Sequence, residues 1–229
     1  MRKKPVTFLQ ILVHGAGWFP LAKIVIDYFS RNLTANPIQA IEQRTGMDAL
    51  TFLLLSLACT PAASILGLKE LTQRRKALGN YGFLYASLHV FTFFVIDYGL
   101  DLRAIWRDVW NKAYILIGAT AFLLLVPLAI TSFDYWMKRL GKKWKRLHRL
   151  VYLIIPLVVV HFLLVVKGDI TRLQGDLSQP VLYGSVMLLL LIVRIPRIKT
   201  ALIGLRSHIE AISRGRRLRT GNLKQKQIE

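Results

Sequence analysis

Two long apolar runs that contain histidines dominate this sequence. Residues 144–167 are WKRLHRLVYLIIPLVVVHFLLVVK, a basic cluster followed by an apolar run long enough to cross a bilayer. His148 stands at the start of the run and His161 lies deep inside it, while a second run, residues 80–98, contains His89. A histidine in hydrocarbon is costly unless it has a partner or a role. Each run therefore predicts a functional site as well as a helix.

Six apolar segments predict an all-α membrane protein. Hydrophobic residues make up 54% of the 229-residue chain and the mean hydropathy is +0.42, which is too apolar for an ordinary soluble domain. The N-terminal segment lacks a clear cleavage site, so we expect it to be retained as the first helix. We divide the chain into a six-helix transmembrane domain, residues 1–196, and a basic cytoplasmic tail, residues 197–229. The segments cover residues 8–29, 49–66, 80–98, 113–133, 150–166 and 181–195.

The distribution of basic residues predicts the orientation of the bundle. With the N-terminus in the cytoplasm, 24 of the 32 lysines and arginines fall on the cytoplasmic side, and acidic residues balance the rest on the other side. The whole net charge of +20 then lies on one face, as the positive-inside rule requires. We predict that both termini are cytoplasmic. Because this bias accounts for the charge, we expect membrane lipid and no nucleic acid as a partner.

His89 and His161 are the candidate metal ligands. His89 lies thirteen residues after Lys76, and His161 lies twelve residues after Arg149, which corresponds to about 19 and 18 Å of helix. Because both helices run outward, the two imidazoles are expected at matching depths. Two such rings on facing helices can be the axial ligands of a haem iron. The alternative is a pair of buried histidines that hydrogen-bond to the backbone.

His148 lies at the cytoplasmic edge among basic residues. On an ideal helix it would point about 140° away from His161, although the intervening Pro156 can change that angle. It could ligate a second, inner haem, position another cofactor, or be solvated. Arg74 and Arg75 occupy the inner end of the third segment and suit haem propionates or a flavin phosphate. The alternative for this pair is that both are ordinary positive-inside residues.

Other patterns that carry chemistry are missing or weak. The single cysteine, Cys59, excludes an intramolecular disulfide and a cysteine-ligated iron–sulfur cluster. The sequence contains no P-loop, dinucleotide-binding, zinc-protease or Ser-His-Asp pattern, so we assign no catalytic residue. We interpret His14, in the first segment, as structural and His208, in the tail, as solvated.

Four stretches of the chain resemble the MsrQ family, also named YedZ, in the same order and spacing. They are NPIQAIEQRTGMDALTFLLLSLACTP (residues 36–61), RRKALGNYGFLYASLH (74–89), LAITS (128–132) and WKRLHRLVYL (144–153). The family is part of the ferric-reductase-like transmembrane superfamily and consists of haem b subunits of the bacterial inner membrane. The resemblance implies a membrane cytochrome b in which His89, His148 and His161 are the haem-linked histidines.

The resemblance also implies partners and a direction of electron flow. Electrons would come from the quinone pool or from a cytosolic flavin reductase and pass through haem b, with FMN as an associated cofactor. They would reach MsrP, a periplasmic molybdopterin-containing reductase that converts methionine sulfoxide in proteins back to methionine. This chain would be an electron-transfer subunit and not itself the enzyme. The superfamily often has four histidines and two haems, whereas three match here, so the number of haems is one or two.

Two other classes of function also fit an apolar bundle. A cofactor-free transporter would use the histidines to relay protons or to bind a substrate, and the purified protein would be colourless. A membrane anchor subunit would depend on its basic tail, so truncation after Lys199 would abolish function and haem would be irrelevant. The visible spectrum of the purified protein therefore tests the cytochrome hypothesis, and truncation after Lys199 tests the anchor hypothesis.

Overall fold

The computed structural model describes residues 6–166 and 177–207, and these two ranges contain helices and no strands. The all-α prediction is confirmed. A π-helical turn, Thr92–Asp97, extends α3, and a 3₁₀ turn, His148–Leu150, joins α7 to α8. The α-helices are α1 (Phe8–Phe29), α2 (Pro37–Leu66), α3 (Lys69–Phe91), α4 (Leu102–Asn111), α5 (Ala113–Ile130), α6 (Asp134–Leu140), α7 (Lys142–Leu147), α8 (Val151–Val165), α9 (Ser178–Ile192) and α10 (Pro196–Ser207).

Five helical spans in the described residues are long and apolar enough to cross a membrane. They are formed by α1, by α2, by α3 with its π-helical extension, by α5, and by α7 with α8. A sixth span exists if α9 and α10 are taken together, although they meet at 83° across a short break. The predicted number of six is therefore the upper limit. Part of the predicted tail, residues 197–207, belongs to α10, and the rest, including His208, lies outside the described residues.

Two helices extend well beyond the apolar segments that predicted them. Asn36 caps α2, since its side-chain oxygen accepts the Gln39 N–H at 3.2 Å, and Pro37 follows at the first helical position. At the other end, Gly67 adopts the left-handed conformation (φ 72°) that terminates a helix. The span of α3 likewise begins at Lys69, before its apolar part. Hydropathy marks only the part of each helix that meets lipid, so it underestimates both lengths.

The apolar segments predicted from the sequence do not include α4 and α6, because both helices are short and rich in polar residues. Asp101 caps α4 by accepting the N–H groups of Arg103 and Ala104 at 3.0 and 3.1 Å. Asp108 accepts hydrogen bonds from Lys112 Nζ and Tyr98 Oη, each at 2.7 Å. These contacts, that of Lys112 above all, hold the pKa of Asp108 well below its usual range. They connect α4 to the end of α3 and to the start of α5.

The central helix of the bundle is α2. Half of its apolar window is buried inside the protein, against 17–22% for the other four spans. On one side α2 packs along α3, and on the other its leucines Leu50 and Leu57 meet Ile154 and Ile155 of α8. All four of these side chains are at most 2% exposed. The remaining spans present most of their apolar surface outward, as expected of helices that face lipid.

Because α1 buries little surface, polar contacts fix its position. The Tyr85 hydroxyl of α3 donates to the Gly17 carbonyl at 2.7 Å and accepts the Leu21 N–H at 3.0 Å. These two backbone groups are four residues apart and would normally bond to each other. A side chain from α3 is thus inserted into the hydrogen-bond ladder of α1, next to Pro20, which is a recognised origin of a helix bend.

Charged contacts fix the two ends of α1. At one end, Asp27 forms ion pairs with Lys23 one turn earlier and with Arg44 of α2. At the other end, the Thr7 hydroxyl hydrogen-bonds Glu70 in the first turn of α3. Asp27 is 8% exposed, and a buried carboxylate needs such partners because it has lost its contact with water. The first helix is therefore attached at both ends and in the middle.

We expect fusion reporters to show that both termini are cytoplasmic. Alkaline phosphatase joined after Lys112 should be active, because that position follows an odd number of spans and faces the periplasm. The same enzyme joined after Gly141 should be inactive, and green fluorescent protein at the C-terminus should fluoresce. Activity after Gly141, or a dark C-terminal fusion of a stably expressed protein, would contradict this topology.

Candidate functional site

The structure brings the two central histidines together between α3 and α8. The ring centroids of His89 and His161 are 6.2 Å apart, and the ring planes are inclined at 80°. The residues lie in different spans, at positions 89 and 161, so only the packing of the bundle creates this pair. His148 is not part of it, because it belongs to the 3₁₀ turn below α8.

Each ring of this pair donates one hydrogen bond to a backbone carbonyl of a neighbouring helix. The Nδ1–H of His89 donates to the Glu42 carbonyl of α2 at 2.9 Å. The Nδ1–H of His161 donates to the Tyr114 carbonyl of α5 at 2.7 Å. A carbonyl can only accept, so the proton is on Nδ1 and each neutral ring keeps the Nε2 lone pair. Histidines that bind metals through Nε2 are held in this way by their other nitrogen.

Glycines allow both rings to reach those carbonyls. A Cβ placed on Gly46 would lie 3.2 Å from Nδ1 of His89, and one on Gly118 would lie 2.7 Å from Nδ1 of His161. In both cases the glycine is four residues after the accepting carbonyl, one helical turn along the same face. The sequence separation between histidine and carbonyl is also the same, 47 residues in each half. The bundle thus contains the same local arrangement of carbonyl, glycine and histidine twice, once around His89 and once around His161.

The geometry of the pair suits an iron held between two imidazoles. Two metal–nitrogen bonds of about 2 Å each, plus the distance from each nitrogen to its ring centre, add up to roughly 6 Å. Within residues 6–166 and 177–207, no group of three or more His, Cys, Asp or Glu side chains could hold a bare metal ion. Two protein ligands would suffice to hold a haem iron, because the macrocycle would supply the other four nitrogens.

Sequence reasoning selected the two histidines but missed the residues that orient them. The accepting groups are main-chain carbonyls, which leave no mark in the sequence. The available signal was Gly46 and Gly118, isolated glycines within helical segments, which often indicate close packing. The alternative prediction was a pair of buried histidines that hydrogen-bond to the backbone. It is correct for Nδ1 of each ring, but Nε2 of each ring remains available.

His148 occupies a separate place near the inner end of the bundle. Its ring stacks on Trp144 at a centroid distance of 4.0 Å, and its Nδ1–H donates to the Trp144 carbonyl at 3.2 Å. Nε2 is buried and has no hydrogen-bond partner in the described part of the chain. A buried nitrogen of this kind is costly unless a ligand satisfies it. The proposed solvated role therefore fits His148 less well than a ligand-binding one.

The two arginines named from the sequence point in different directions. Arg74 contacts Glu70 and Thr7, each at 3.3 Å, and so faces α1. Arg75 lies within electrostatic range of both His148 and Arg194. Arg74 thus contributes to the attachment of α1, whereas Arg75 stands on the side of the buried histidine.

Arg194 is a further basic residue of this inner region, and sequence analysis missed it. It lies at the break after α9 and is half-buried, donating to the Tyr152 hydroxyl at 2.6 Å and to the Leu57 carbonyl. Neither Arg75 nor Arg194 forms an ion pair with a carboxylate in the described residues. With His148 they form what we name the inner basic cluster, which can satisfy an anionic group.

Comparison with known proteins assigns the class of the fold. The family described as ferric reductase like transmembrane component matches residues 45–159, which include most of α2, all of α3 and α5, and His89, and end two residues before His161. The chain is therefore a ferric-reductase-like transmembrane protein, and its apolar helices make it a multi-pass protein of the bacterial inner membrane.

Curated relatives identify the family within that class. A Caulobacter vibrioides protein is 38% identical over 199 residues, covering 85% of this chain and 91% of its own length. A relative from Xanthomonas campestris pv. campestris (strain 8004) is 40% identical over 203 residues, covering 83% of this chain and 88% of its own length. One from Rhodospirillum rubrum is 40% identical over 187 residues, covering 81% of this chain and 86% of its own length. All three are named protein-methionine-sulfoxide reductase heme-binding subunit MsrQ. The chain belongs to the MsrQ family.

Alanine at Gly118 should destabilise the protein by about 1–3 kcal/mol, because the added methyl would push the His161 ring off the Tyr114 carbonyl and leave a buried donor unpaired. Alanine at Gly46 should cost less, since its Cβ would have more room. Denaturant unfolding of the purified protein measures both changes.

Alanine at Gly15 is the matched control for these two variants. A Cβ at Gly15 would meet nothing within 4 Å, so this variant should be as stable as the parent, or more stable by up to about 1 kcal/mol from helix propensity. Equal effects at Gly15 and Gly118 would contradict the proposed clamping of His161.

Proposed function

We propose that this protein is a haem b electron-transfer subunit that carries electrons through the inner membrane to a methionine sulfoxide reductase. The observation that carries the proposal is the His89–His161 pair, two facing imidazoles with fixed tautomers and two available Nε2 atoms. The names of the relatives support it, since they describe heme-binding subunits of a protein-methionine-sulfoxide reductase.

The protein's own contribution is to hold and orient the two ligands. When bound, haem b supplies a one-electron couple that the side chains of this chain lack. Each histidine presents Nε2 to the iron, while its Nδ1–H bond to Glu42 or Tyr114 fixes the ring and makes it a better ligand. The apolar surroundings lower the local dielectric constant and keep water away, which tunes the reduction potential.

The inner basic cluster is proposed as the second cofactor position. Nε2 of His148 is buried and unsatisfied in the described chain; Arg75 supplies positive charge near it, and Arg194 lies within electrostatic range of Arg75. Such a site suits either a second haem b, with His148 as ligand and the arginines on its propionates, or the phosphate of FMN. Arg74, the other arginine predicted from the sequence, contacts Glu70 and Thr7 on the side of α1, so the proposed inner site rests on Arg75 and Arg194.

Electrons are proposed to enter from the quinone pool or from a cytosolic flavin reductase. They leave on the opposite face to a periplasmic molybdopterin-containing reductase, MsrP, in which methionine sulfoxide is reduced. The concentration of basic residues on the predicted cytoplasmic face supports this direction, because it orients the inner cluster towards the cytosol. This chain then needs no catalytic residue of its own.

Replacing His89 or His161 by alanine should remove most of the haem b absorbance, because either change removes one of the two imidazoles that would hold the iron. Dithionite-reduced spectra and pyridine haemochromes of the purified variants measure the loss. His208→Ala, in the predicted tail, is the control and should keep the parental spectrum. A parent protein that stays colourless when expressed with ample haem would favour the transporter hypothesis instead.

His148→Ala should change the contents of the inner site and leave the His89–His161 haem in place. If the parent holds two haems per chain, the variant should hold one. If the parent holds one haem and retains FMN, the variant should keep the haem and lose flavin fluorescence. A variant with unchanged haem and flavin contents would contradict a cofactor role for His148.

A further inference from the structure

A groove between α1 and α3 lies outside the two sites described so far. It has a volume of about 420 Å³, which is in the range of small-molecule sites. It straddles the boundary between the basic first turns of α3 and the apolar run that begins at residue 80. Its lining is His14, Gln73, Lys76, Ala77, Asn80, Tyr81 and Leu84.

The floor of the groove is a hydrogen-bonded pair of ionisable rings. His14 Nδ1 and the Tyr81 hydroxyl are 2.9 Å apart. Tyr81 is 8% exposed, whereas His14 is exposed at the open side, with its other nitrogen available to a ligand. Gly17 makes the pair possible, because a Cβ there would lie 2.3 Å from the Tyr81 ring.

The polar lining needs a hydrogen-bonding occupant that carries no net charge. Asn80, at the start of the apolar run, is exposed in a span of a membrane protein and has no hydrogen bond to another described residue, whereas Gln73 lies in the basic first turns of α3. Polar groups at that depth are costly unless they are paired. The one formal charge of the lining, Lys76, is compensated by Asp134 at 2.8 Å. A neutral polar headgroup therefore fits better than a lipid phosphate, which would need free positive charge.

We propose that this groove binds the headgroup of a membrane quinol, with His14 and Tyr81 holding one of its hydroxyls and Asn80 holding its rim. The inference rests on the proposed electron-transfer function and deepens it by locating the donor site. Leu84 lies at the deeper end of the groove, in the apolar run, where an isoprenoid tail would lie. His14 thus receives a binding role in place of the purely structural one expected from the sequence.

Aromatic packing connects the groove to the central histidines. Tyr81, Tyr85 and His89 are spaced at four-residue intervals and so lie along one face of α3, with about 12 Å of helix from first to last. Phe52 of α2 packs on both tyrosines, at centroid distances of 5.7 and 5.4 Å. The proposed donor site is therefore two helical turns from a proposed iron ligand, through densely packed protein.

Oxidation of the bound quinol balances with groups already named. Conversion of one quinol to quinone breaks two O–H bonds and releases two electrons and two protons. Haem b, when bound, would supply the oxidant, and two one-electron reductions of ferric haem would be needed for each quinol. Each proton is taken up in turn by the outward nitrogen of His14 and passed to water at the mouth beside Lys76.

The test uses the full-length haem-loaded protein in lipid nanodiscs, mixed anaerobically with decylubiquinol while the haem α band is followed. His14→Leu and Tyr81→Phe should each slow haem reduction at least tenfold, with the dithionite-reduced spectrum and the haem content unchanged. The control, Gly15→Ala, lies next to His14 without contacts and should react like the parent.

Binding is measured separately with oxidised decylubiquinone by tryptophan quenching, since Trp18 packs on Tyr81 at a centroid distance of 6.1 Å. Saturable quenching should require at least tenfold more quinone in His14→Leu.

Equal rates and equal quenching in parent and variants would overturn the site while leaving the electron-transfer function intact, and the groove would then belong to lipid. A haem-loaded parent that is reduced by NADH with a flavin reductase but not by decylubiquinol would also overturn the site. A parent without haem would overturn the proposed function as well.

Discussion

An imidazole at bilayer depth must satisfy its proton, and the arrangement of the four central helices follows from that requirement. His89 and His161 each donate Nδ1–H to a carbonyl one turn before a glycine, so α3 must pack on α2, and α8 on α5, at that level. The two helix pairs then close on each other and leave two Nε2 atoms facing inward. Ordinary apolar packing fills the rest, because lipid-like side chains by themselves specify no unique approach of helices.

Hydropathy and charge predicted the helical class, the central spans and the histidines worth attention. They did not predict α4, α6 or the first turns of α2, because these segments lack a long apolar run. Asp101 and Asn36 cap the first turns of α4 and α2, and such caps do not depend on apolar residues. The accepting carbonyls of Glu42 and Tyr114 were beyond the reach of sequence, since every residue has a carbonyl and only packing decides which one is used. Arg194 was missed for a related reason, because its role arises where α9 breaks against two distant helices.

The proposed sites divide the protein into levels with different chemistry. Hydrogen-bonding groups line the lateral groove, the positive charge of Arg75 lies near His148, and two neutral imidazoles lie side by side at the centre. Each level suits a different kind of group: a neutral headgroup, an anion and a metal. All three levels share α3, which carries Arg75, Tyr81 and His89 within fifteen residues. One helix therefore links the proposed entry of electrons to the proposed iron ligand.

The insertion of Tyr85 into α1 has a consequence for biogenesis. A ribosome synthesises α1 first, but the hydroxyl inserted into its ladder is on α3, and the guanidinium that pairs with Asp27 is on α2. Until those helices enter the bilayer, Asp27 has only Lys23 of its own helix as a partner, and the Gly17 carbonyl and the Leu21 N–H can bond to each other. The first helix can therefore enter the bilayer with an uninterrupted ladder, and it receives its second ion pair and the Tyr85 insertion only after some seventy further residues have emerged. The order of synthesis thus makes α1 the last of the three helices to reach its final packing.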